Sequence, residues 1–205
     1  MITIIDYKMG NLGSIQNMLI RIGEKSIITN NIKDIEKANK IILPGVGSFD
    51  KAINNLNALN LIEIIKRKAN DEKIPILGIC LGMQLLSEKS EEGILPGLAL
   101  IQGEVKKFNF MDPVKKYKIP HMGWNIVKKV KSSPLTDNIA EDSRFYFVHS
   151  YHFVCYRETD ILLTTDYGYE FVSAVANDNI LGVQFHPEKS HRFGMQLLKN
   201  FVELY

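Results

Sequence analysis

The stretch that decides the fold is residues 74–86, which read IPILGICLGMQLL. The first six residues, 74–79, carry no polar side chain, and such a run predicts a strand buried on both faces of a sheet. The residues that follow place apolar side chains at helical spacing, which predicts a helix over residues 81–89. Glycines stand on both sides of the junction, and Cys80 lies at its centre. A buried strand that passes directly into a helix is typical of a parallel sheet in an α/β protein.

The rest of the N-terminal half alternates in the same way between short β-branched runs and amphipathic segments. This alternation predicts an open, mostly parallel sheet with helices on both faces. The expected strands cover residues 2–5, 25–29 and 40–45, and the expected helices cover residues 11–23 and, in two pieces, 48–70.

The C-terminal half is organised differently, because strand-like segments follow one another with turn residues between them. We expect antiparallel pairing for several of these strands. An amphipathic helix is predicted at residues 190–204, and the lysine-rich stretch 109–119 is predicted to be an exposed hairpin or loop. The predicted strands are 103–108, 123–130, 144–156, 160–165, 170–177 and 179–186.

Composition places the chain among globular proteins. It has 205 residues, of which 45% are hydrophobic and 23% charged, so it is large enough for a well-buried core. We expect one domain over residues 1–205. The net charge of +2 and the scattered lysines argue against nucleic-acid binding. The two cysteines make no disulfide framework, and we see neither an apolar run of the roughly 18–20 residues that a membrane span needs nor a signal peptide. We therefore expect a cytoplasmic protein.

The junction at Cys80 has the G-x-nucleophile-x-G arrangement of a strand-to-helix elbow. A cysteine there lies at a helix N-terminus, where the helix dipole favours the reactive thiolate. The backbone N–H of Leu81 could then stabilise an oxyanion. The alternative is a small buried cysteine in a tight turn, and this segment alone favours neither interpretation. Cys155 lies in an aromatic, β-branched segment, so we expect it to pack in the core.

A cysteine nucleophile needs a base, and the base needs an orienting group. His186, Pro187 and Glu188 end an apolar strand, and residues two apart on an extended segment face the same side. Glu188 could therefore hold one ring nitrogen of His186 while the other faces the cysteine. The alternative is a surface histidine at a strand end, which is the more common case when no cysteine elbow is present.

The other histidines offer weaker hypotheses. His149 and His152 are three residues apart on a strand-like segment, so we expect them to face opposite sides, which argues against a shared metal site. His121 and His191 have no partner that the sequence identifies. Since no Cys/His group has zinc-ligand spacing, we expect neither a metal nor another cofactor.

A glycine-rich turn ends the predicted strand 40–45. Gly45 and Gly47 flank Val46, and such a turn exposes backbone N–H groups that could supply a second oxyanion donor. A plain tight turn is the simpler interpretation. This turn, the turn at residues 6–11 and Cys80 all follow parallel strands, and ligands of open α/β sheets bind at that edge.

Taken together, these motifs resemble the class I (triad) glutamine amidotransferases. More narrowly, they look like the glutaminase subunits of imidazole glycerol phosphate synthases, and the similarity runs from residue 2 to about residue 203. The resemblance implies a flavodoxin-like α/β fold with additional antiparallel strands in the C-terminal half. The motifs that carry it are DYKMGN (6–11), PGVGSF (44–49), GICLGMQLL (78–86), PHMGWN (120–125), YFVHSY (146–151) and GVQFHPEKS (182–190).

The resemblance also implies an activity and a set of roles. The sulfur of Cys80 would attack the side-chain amide of glutamine, with His186 shuttling protons and Glu188 holding its ring. The ammonia released would pass to a (β/α)₈-barrel cyclase, which forms a heterodimer with the glutaminase and makes imidazole glycerol phosphate in histidine biosynthesis. The matching oxyanion donors are Gly47 and Leu81, and the matching substrate-binding residues are Gln84, His149, Ser150 and Tyr151.

One position departs from the pattern. Lys8 stands where the biosynthetic subunits usually carry glycine. The departure keeps open a paralogous amidotransferase that supplies ammonia for surface-sugar modification. A non-catalytic scaffold and a cysteine peptidase of related fold are further alternatives. The intact set of Cys80, His186 and Glu188 argues against the scaffold, and a peptidase would not need the segments at 120–125 and 146–151.

Overall fold

A computed structural model describes residues 1–111 and 117–205. The strands are β1 Ile2–Ile5, β2 Ser26–Thr29, β3 Lys40–Gly45, β4 Ile76–Cys80, β5 Lys89–Ser90, β6 Gly103–Lys107, β7 His121–Ile126, β8 Lys128–Lys129, β9 Arg144–His149, β10 Tyr151–Cys155, β11 Ile161–Asp166, β12 Glu170–Asn177 and β13 Ile180–Val183. The helices are α1 Leu12–Arg21, α2 Ile32–Glu36, α3 Phe49–Ala58, α4 Ile62–Asn70, α5 Leu81–Leu85 and α6 His191–Leu204.

The parallel half of the main sheet has the order β2-β1-β3-β4-β13, and every neighbouring pair in it is parallel. Strands β1, β3, β4 and β13 are almost wholly buried, as the apolar runs predicted, and β2 at the edge is half-buried. The register sets Val183 beside Ile79, so the residues that follow β4 and β13 leave the sheet side by side. This pairing joins the first half of the chain to its last strand.

The other side of the sheet continues from β13 through the antiparallel strands β12, β10 and β6, and β5 pairs parallel to β6 at the end. Strands β11 and β8 branch from β12, and β7 pairs with β9 in a separate two-stranded sheet. The predicted mixed architecture is confirmed. The predicted strand 123–130 divides into β7 and β8, which belong to different sheets.

Two other predictions need adjustment. The helix expected over residues 81–89 ends at Leu85. The carbonyl of Leu85 accepts the N–H of Leu98, and that of Leu86 accepts the N–H groups of Leu100 and Ile101, so these carbonyls are not available to continue the helix. The centre of the expected loop 109–119, residues 112–116, lies outside the described residues.

The core has two parts, one on each face of the sheet, as expected for a sheet covered by helices on both sides. One part includes Phe49 and Leu56 of α3 and Ile65 of α4. The other includes Leu19 of α1 and Phe201 of α6. None of the helices in the described parts of the chain combines the length and the apolar character needed to cross a bilayer.

Candidate active site

Cys80 lies at the point where β4 passes into α5, and its backbone has a positive φ, with φ 55° and ψ −111°. Non-glycine residues rarely adopt a positive φ, and they do so mainly where the surroundings hold them. The neighbouring glycines make the elbow possible. A Cβ on Gly82 would stand 1.7 Å from the carbonyl oxygen of Leu43, and a Cβ on Gly78 would stand 2.6 Å from the carbonyl oxygen of Gly82. The expected strand-to-helix elbow is therefore present.

His186 is held beside the elbow by backbone contacts. Its N–H donates to the carbonyl of Tyr146 on β9 (2.9 Å), and its own carbonyl accepts from the hydroxyl of Ser190 (2.6 Å). It lies just beyond β13, the parallel neighbour of β4, so both residues occupy the carboxyl edge of the sheet. This register, and not local sequence, brings His186 and Cys80 together.

Glu188 contacts the ring of His186, with 2.7 Å between Oε1 and Nδ1, and both side chains are only 2% exposed. The expected geometry was two residues on one face of an extended strand. In the structure only His186 is extended, and Pro187–Lys189 form a 3₁₀ turn that brings the carboxylate back to the imidazole. The pairing is as predicted, but a turn produces it.

The protonated form of His186 is favoured by its surroundings. Burial acts to lower the pKa of the imidazole, but the hydrogen-bonding and charge interactions with Cys80 and Glu188 outweigh burial and raise it to about 10. Among the described residues, Nε2 of the ring has no well-aligned hydrogen-bond partner. The interaction of this nitrogen with the nearby thiol of Cys80 is therefore loose in geometry.

A cavity of about 310 Å³ opens at the sulfur of Cys80. All of the residues that the sequence analysis proposed for oxyanion and substrate binding line it, and Val46, Glu92, Pro120 and Val148 complete the wall. Gly47 has φ 113°, a conformation that strongly favours glycine. The proposed residues in the lining are Gly47, Cys80, Leu81, Gln84, His149, Ser150 and Tyr151.

Two glutamines form a buried hydrogen-bonded bridge below this cavity. Nε2 of Gln84 lies 3.1 Å from the carbonyl oxygen of Tyr151 and 3.0 Å from Oε1 of Gln184. Nε2 of Gln184 in turn lies 3.7 Å from the sulfur of Cys80. Sequence reasoning missed Gln184, although it stands two residues before His186 and the same alternation applies to both.

Glu92 is a second residue that the sequence did not identify. One of its oxygens accepts the backbone N–H of Phe49 at the start of α3 (2.9 Å). Burial raises the pKa of the carboxyl, against the lowering effect of that N–H, and the nearby Asp50 raises it further. No sequence pattern marks this residue, because the loop after β5 brings it to the cavity.

The histidines differ from expectation. Nδ1 of His121, for which the sequence identified no partner, lies 3.0 Å from Nε2 of His149. The strand is interrupted at Ser150, and as a result the rings of His149 and His152 both contact Phe108. The prediction that the side chains of His149 and His152 face opposite sides is therefore wrong. Across residues 1–111 and 117–205, no group of three or more His, Cys, Asp and Glu side chains is arranged to hold a metal ion. His191 stacks on the ring of Trp124.

The other cysteine, Cys155, is half-buried on β10, at the edge of the core. Burial, assisted by the negative charge of Asp160, raises the pKa of its thiol to about 12. A thiol that stays protonated at neutral pH is a poor nucleophile. The two cysteines of the chain therefore have very different environments.

The turn at residues 6–11 packs under the glycine turn that follows β3. The hydroxyl of Tyr7 donates to the carbonyl of Pro44, and a Cβ on Gly45 would stand 2.1 Å from that hydroxyl. Lys8 has φ 67°, so a lysine occupies a conformation that favours glycine. Asp6 holds the strained residue by accepting its backbone N–H (3.0 Å) and its ammonium (3.2 Å).

Comparison with known proteins gives one consistent family. The family model for glutamine amidotransferase class-I matches residues 3–204. An imidazole glycerol phosphate synthase subunit HisH 2 of Methanococcus maripaludis is 57% identical over 99% of both chains. A protein of the same name from Pseudomonas aeruginosa is 48% identical over the full length of both chains, and a subunit HisH of Methanocaldococcus jannaschii is 51% identical over the full length of both.

Solved structures agree with the fold. A glutamine amidotransferase crystal structure superposes with a TM-score of 0.75 at 16% identity, over 99% of this chain and 97% of the other. A glutamine amidotransferase of Thermotoga maritima gives a TM-score of 0.63 at 18% identity, over 100% of this chain and 81% of the other. On the family match and the full-length relatives, the chain belongs to the class-I glutamine amidotransferases, in the branch of the imidazole glycerol phosphate synthase HisH subunits.

Proposed function

We propose that the chain acts as a single catalytic domain, residues 1–205, that hydrolyses glutamine to glutamate and ammonia with Cys80 as the nucleophile. The observation that carries the proposal is the placement of a strained cysteine in the lining of a cavity, beside a buried His186–Glu188 pair. A cysteine, a base and an orienting carboxylate in contact are the parts of a nucleophilic triad.

In the first step, the thiolate of Cys80 attacks the side-chain amide carbon of glutamine. The carbon–sulfur bond forms as the tetrahedral oxyanion develops. When the oxyanion collapses, the carbon–nitrogen bond breaks, and the imidazolium of His186 gives its proton to the departing nitrogen, which leaves as ammonia. In the second step the neutral imidazole takes a proton from water, the hydroxide adds to the thioester, and glutamate leaves with Cys80 restored. Glu188 stabilises the imidazolium in both steps.

Two backbone groups at the cavity serve the oxyanion in this proposal. The N–H of Leu81 belongs to the first residue of α5, where the helix dipole adds a partial positive charge. Gly47 supplies the second N–H from the turn after β3, and its lack of a side chain lets the peptide plane rotate. One oxyanion donor is worth about 10²- to 10³-fold in rate, so the orientation of this turn can control the activity.

The substrate would lie along the wall formed by Gln84 and residues 149–151. Its α-ammonium group needs a negative partner, and Glu92 is the carboxylate that lines the cavity. A charge-assisted contact of this kind contributes about 1.5–3 kcal/mol. We therefore assign the recognition of the amino-acid end of glutamine to Glu92 together with Ser150 and Tyr151.

The ammonia would pass to a (β/α)₈-barrel cyclase that makes imidazole glycerol phosphate in the cytoplasm, where two unpaired cysteines are stable. The relatives are named as subunits of that synthase, which supports a partner. A second support is the outward face of β7, where Met122, Trp124 and Ile126 are 61%, 44% and 45% exposed next to Pro120 at the cavity. Adjacent exposed apolar side chains on a globular protein indicate an interaction surface.

Cys80→Ala tests the nucleophile, with Cys155→Ser as the matched control. We expect Cys80→Ala to lose at least about 10³-fold in glutamate production while keeping its melting temperature, since a covalent nucleophile is removed. Cys155→Ser should keep the rate of the unaltered protein. If Cys80→Ala hydrolysed glutamine normally, the proposed mechanism would be wrong.

The partner is tested by measuring glutamate production for the chain alone, with a cyclase, and with the cyclase and its nucleotide ligand. We expect a slow basal rate and a strong increase with the cyclase, because docking would fix the turn around Gly47. A chain that is equally fast alone would contradict this coupling. A chain that responds only to a cyclase from a surface-sugar pathway would support the paralogous role that Lys8 leaves open.

A further inference from the structure

Gln184 is fully buried and holds its side-chain amide next to the reacting sulfur. Its Nε2 lies 3.7 Å from Sγ of Cys80. The register explains this position, because Val183 of β13 pairs with Ile79 of β4 and the next residues along both strands are neighbours. The register of the sheet therefore places the side-chain amide of Gln184 beside the sulfur of Cys80.

The direction of this amide is fixed by its partners. The carbonyl of Tyr151 can only accept, so the group of Gln84 that faces it at 3.1 Å must be the NH₂. The same NH₂ lies 3.0 Å from one terminal atom of the Gln184 side-chain amide. That atom must be the oxygen, since it accepts the hydrogen bond. The NH₂ of Gln184 is then left to point at the sulfur, as a donor.

The carbonyl of Tyr151 is itself fixed by two buried histidines. Nδ1 of His149 donates to it at 2.7 Å, so Nε2 of the same ring must accept, and it accepts from Nδ1 of His121 at 3.0 Å. Burial lowers the pKa of both rings, to about 4 for His121 and well below the usual value for His149, with a smaller opposing effect of the Tyr151 carbonyl on His149. Both imidazoles are neutral at pH 7, and only one arrangement of their protons satisfies the contacts.

We propose that Gln184 stabilises and orients the thiolate of Cys80 by donating a hydrogen bond to its sulfur from this fixed bridge. The proposal rests on the proposed function of Cys80 as nucleophile. A donor stabilises an anionic sulfur more than a neutral thiol, because hydrogen bonds to charged groups are the stronger ones. An aligned donor also limits the directions in which the sulfur can turn, which keeps it aimed at the cavity.

Several other groups act on the same sulfur and must be kept constant in a test. His186 faces it from the residues after β13, and Tyr7 lies near it from the turn after β1. Glu92 and His149 line the cavity into which the sulfur opens. Gln184 differs from all of these because it carries no charge and does not titrate.

The test is the rate of alkylation of Cys80 by iodoacetamide between pH 5 and pH 10, in a Cys155→Ser background that leaves one thiol. We expect Gln184→Met, which keeps the side-chain length but has no donor, to react about tenfold more slowly at pH 7. The midpoint of its pH–rate profile should move to higher pH, and the plateau at high pH should stay unchanged. Gln184→Glu should move the midpoint further, since a carboxylate repels the thiolate.

An unchanged midpoint in folded Gln184→Met would overturn the proposal, even if Gln184→Glu moves it, because the carboxylate of that variant acts by charge alone. So would a faster reaction at every pH, because loosened packing exposes the sulfur without changing its protonation. Thermal melts identify variants that do not fold, and Gln184→Glu, which is nearly isosteric, serves if Gln184→Met is unstable. Glutaminase activity of the protein with Gln184 intact is measured in parallel, so that failure of the proposed function is seen separately. When the glutaminase activity of the Gln184 variants is measured in the same way, they should lose kcat and largely keep KM for glutamine.

Discussion

Replacement of Glu188 by glutamine tests how much of the proposed catalysis depends on charge. The carboxylate lies 2.7 Å from Nδ1 of His186, and both side chains are 2% exposed, so solvent screens their interaction very little. Glutamine has the same shape and can still accept from the ring through its oxygen. The change therefore removes the negative charge and leaves the hydrogen bond.

The magnitude follows from this difference. A net hydrogen bond to a charged group contributes about 1.5–3 kcal/mol, whereas one between neutral groups contributes about 0.5–1.5 kcal/mol. The difference of roughly 1–2.5 kcal/mol corresponds to about 5- to 70-fold in kcat. His186→Ala removes the proton carrier itself and should cost about 10²- to 10⁴-fold. The assay is glutamate production by the activated complex, with the melting temperature of each variant as the control.

The same replacement has a consequence for pH. His186 has a pKa raised to about 10, since Cys80 and Glu188 outweigh burial, so its favourable contribution to stability is complete below pH 6.5 and is lost as pH rises through about 10. In Glu188→Gln the pKa of His186 should fall, and the free energy of unfolding should change less between pH 6 and pH 10. Glu188→Gln with the rate and pH dependence of the unaltered protein would refute the electrostatic role of Glu188, and a loss equal to that of His186→Ala would assign Glu188 a role beyond charge.

Three further outcomes are expected. An electrophilic glutamine analogue should label Cys80 and spare Cys155, whose thiol pKa is raised to about 12, and peptide mapping that finds the label mainly on Cys155 would contradict the assignment. Glu92→Gln should raise KM for glutamine about tenfold with little change in kcat, as measured by steady-state kinetics, because it removes the charge opposite the α-ammonium group. Gly47→Ala should lower kcat by about 10²-fold or more, since alanine disfavours φ 113° and the oxyanion donor would shift; an unchanged kcat would remove this turn from the mechanism.

Much of the fold could be predicted because the patterns that specify its strands and turns lie within short stretches of the sequence. The apolar run before Cys80 and the glycines around it specify a buried strand and a tight elbow, and both are present. Pro187 and Glu188 also lie close enough to His186 in the chain for their contact to be expected. The 3₁₀ turn that makes the contact was not predicted, since proline is compatible with both extended and turn geometry at that point.

The parts that could not be predicted depend on register between distant strands. Gln184 meets Cys80 because β13 pairs with β4, and His121 meets His149 because β7 pairs with β9. The sequence around these residues contains no pattern that identifies either strand pairing. Glu92 reaches the cavity through the path of a loop, which periodicity does not describe.

The pairing of β4 with the last strand of the sheet also sets the order of events during synthesis. Cys80 is synthesised well before β13 and before His186, which lies just beyond that strand. At a translation rate of roughly 5–20 residues per second, about 5–20 s separate the two residues. Throughout that interval the nascent chain contains a thiol with no base beside it, and one edge of β4 has no partner. In the proposed mechanism, glutamine hydrolysis therefore cannot begin before β13 and His186 have been synthesised, so a ribosome that stalls before β13 releases a product that cannot consume glutamine.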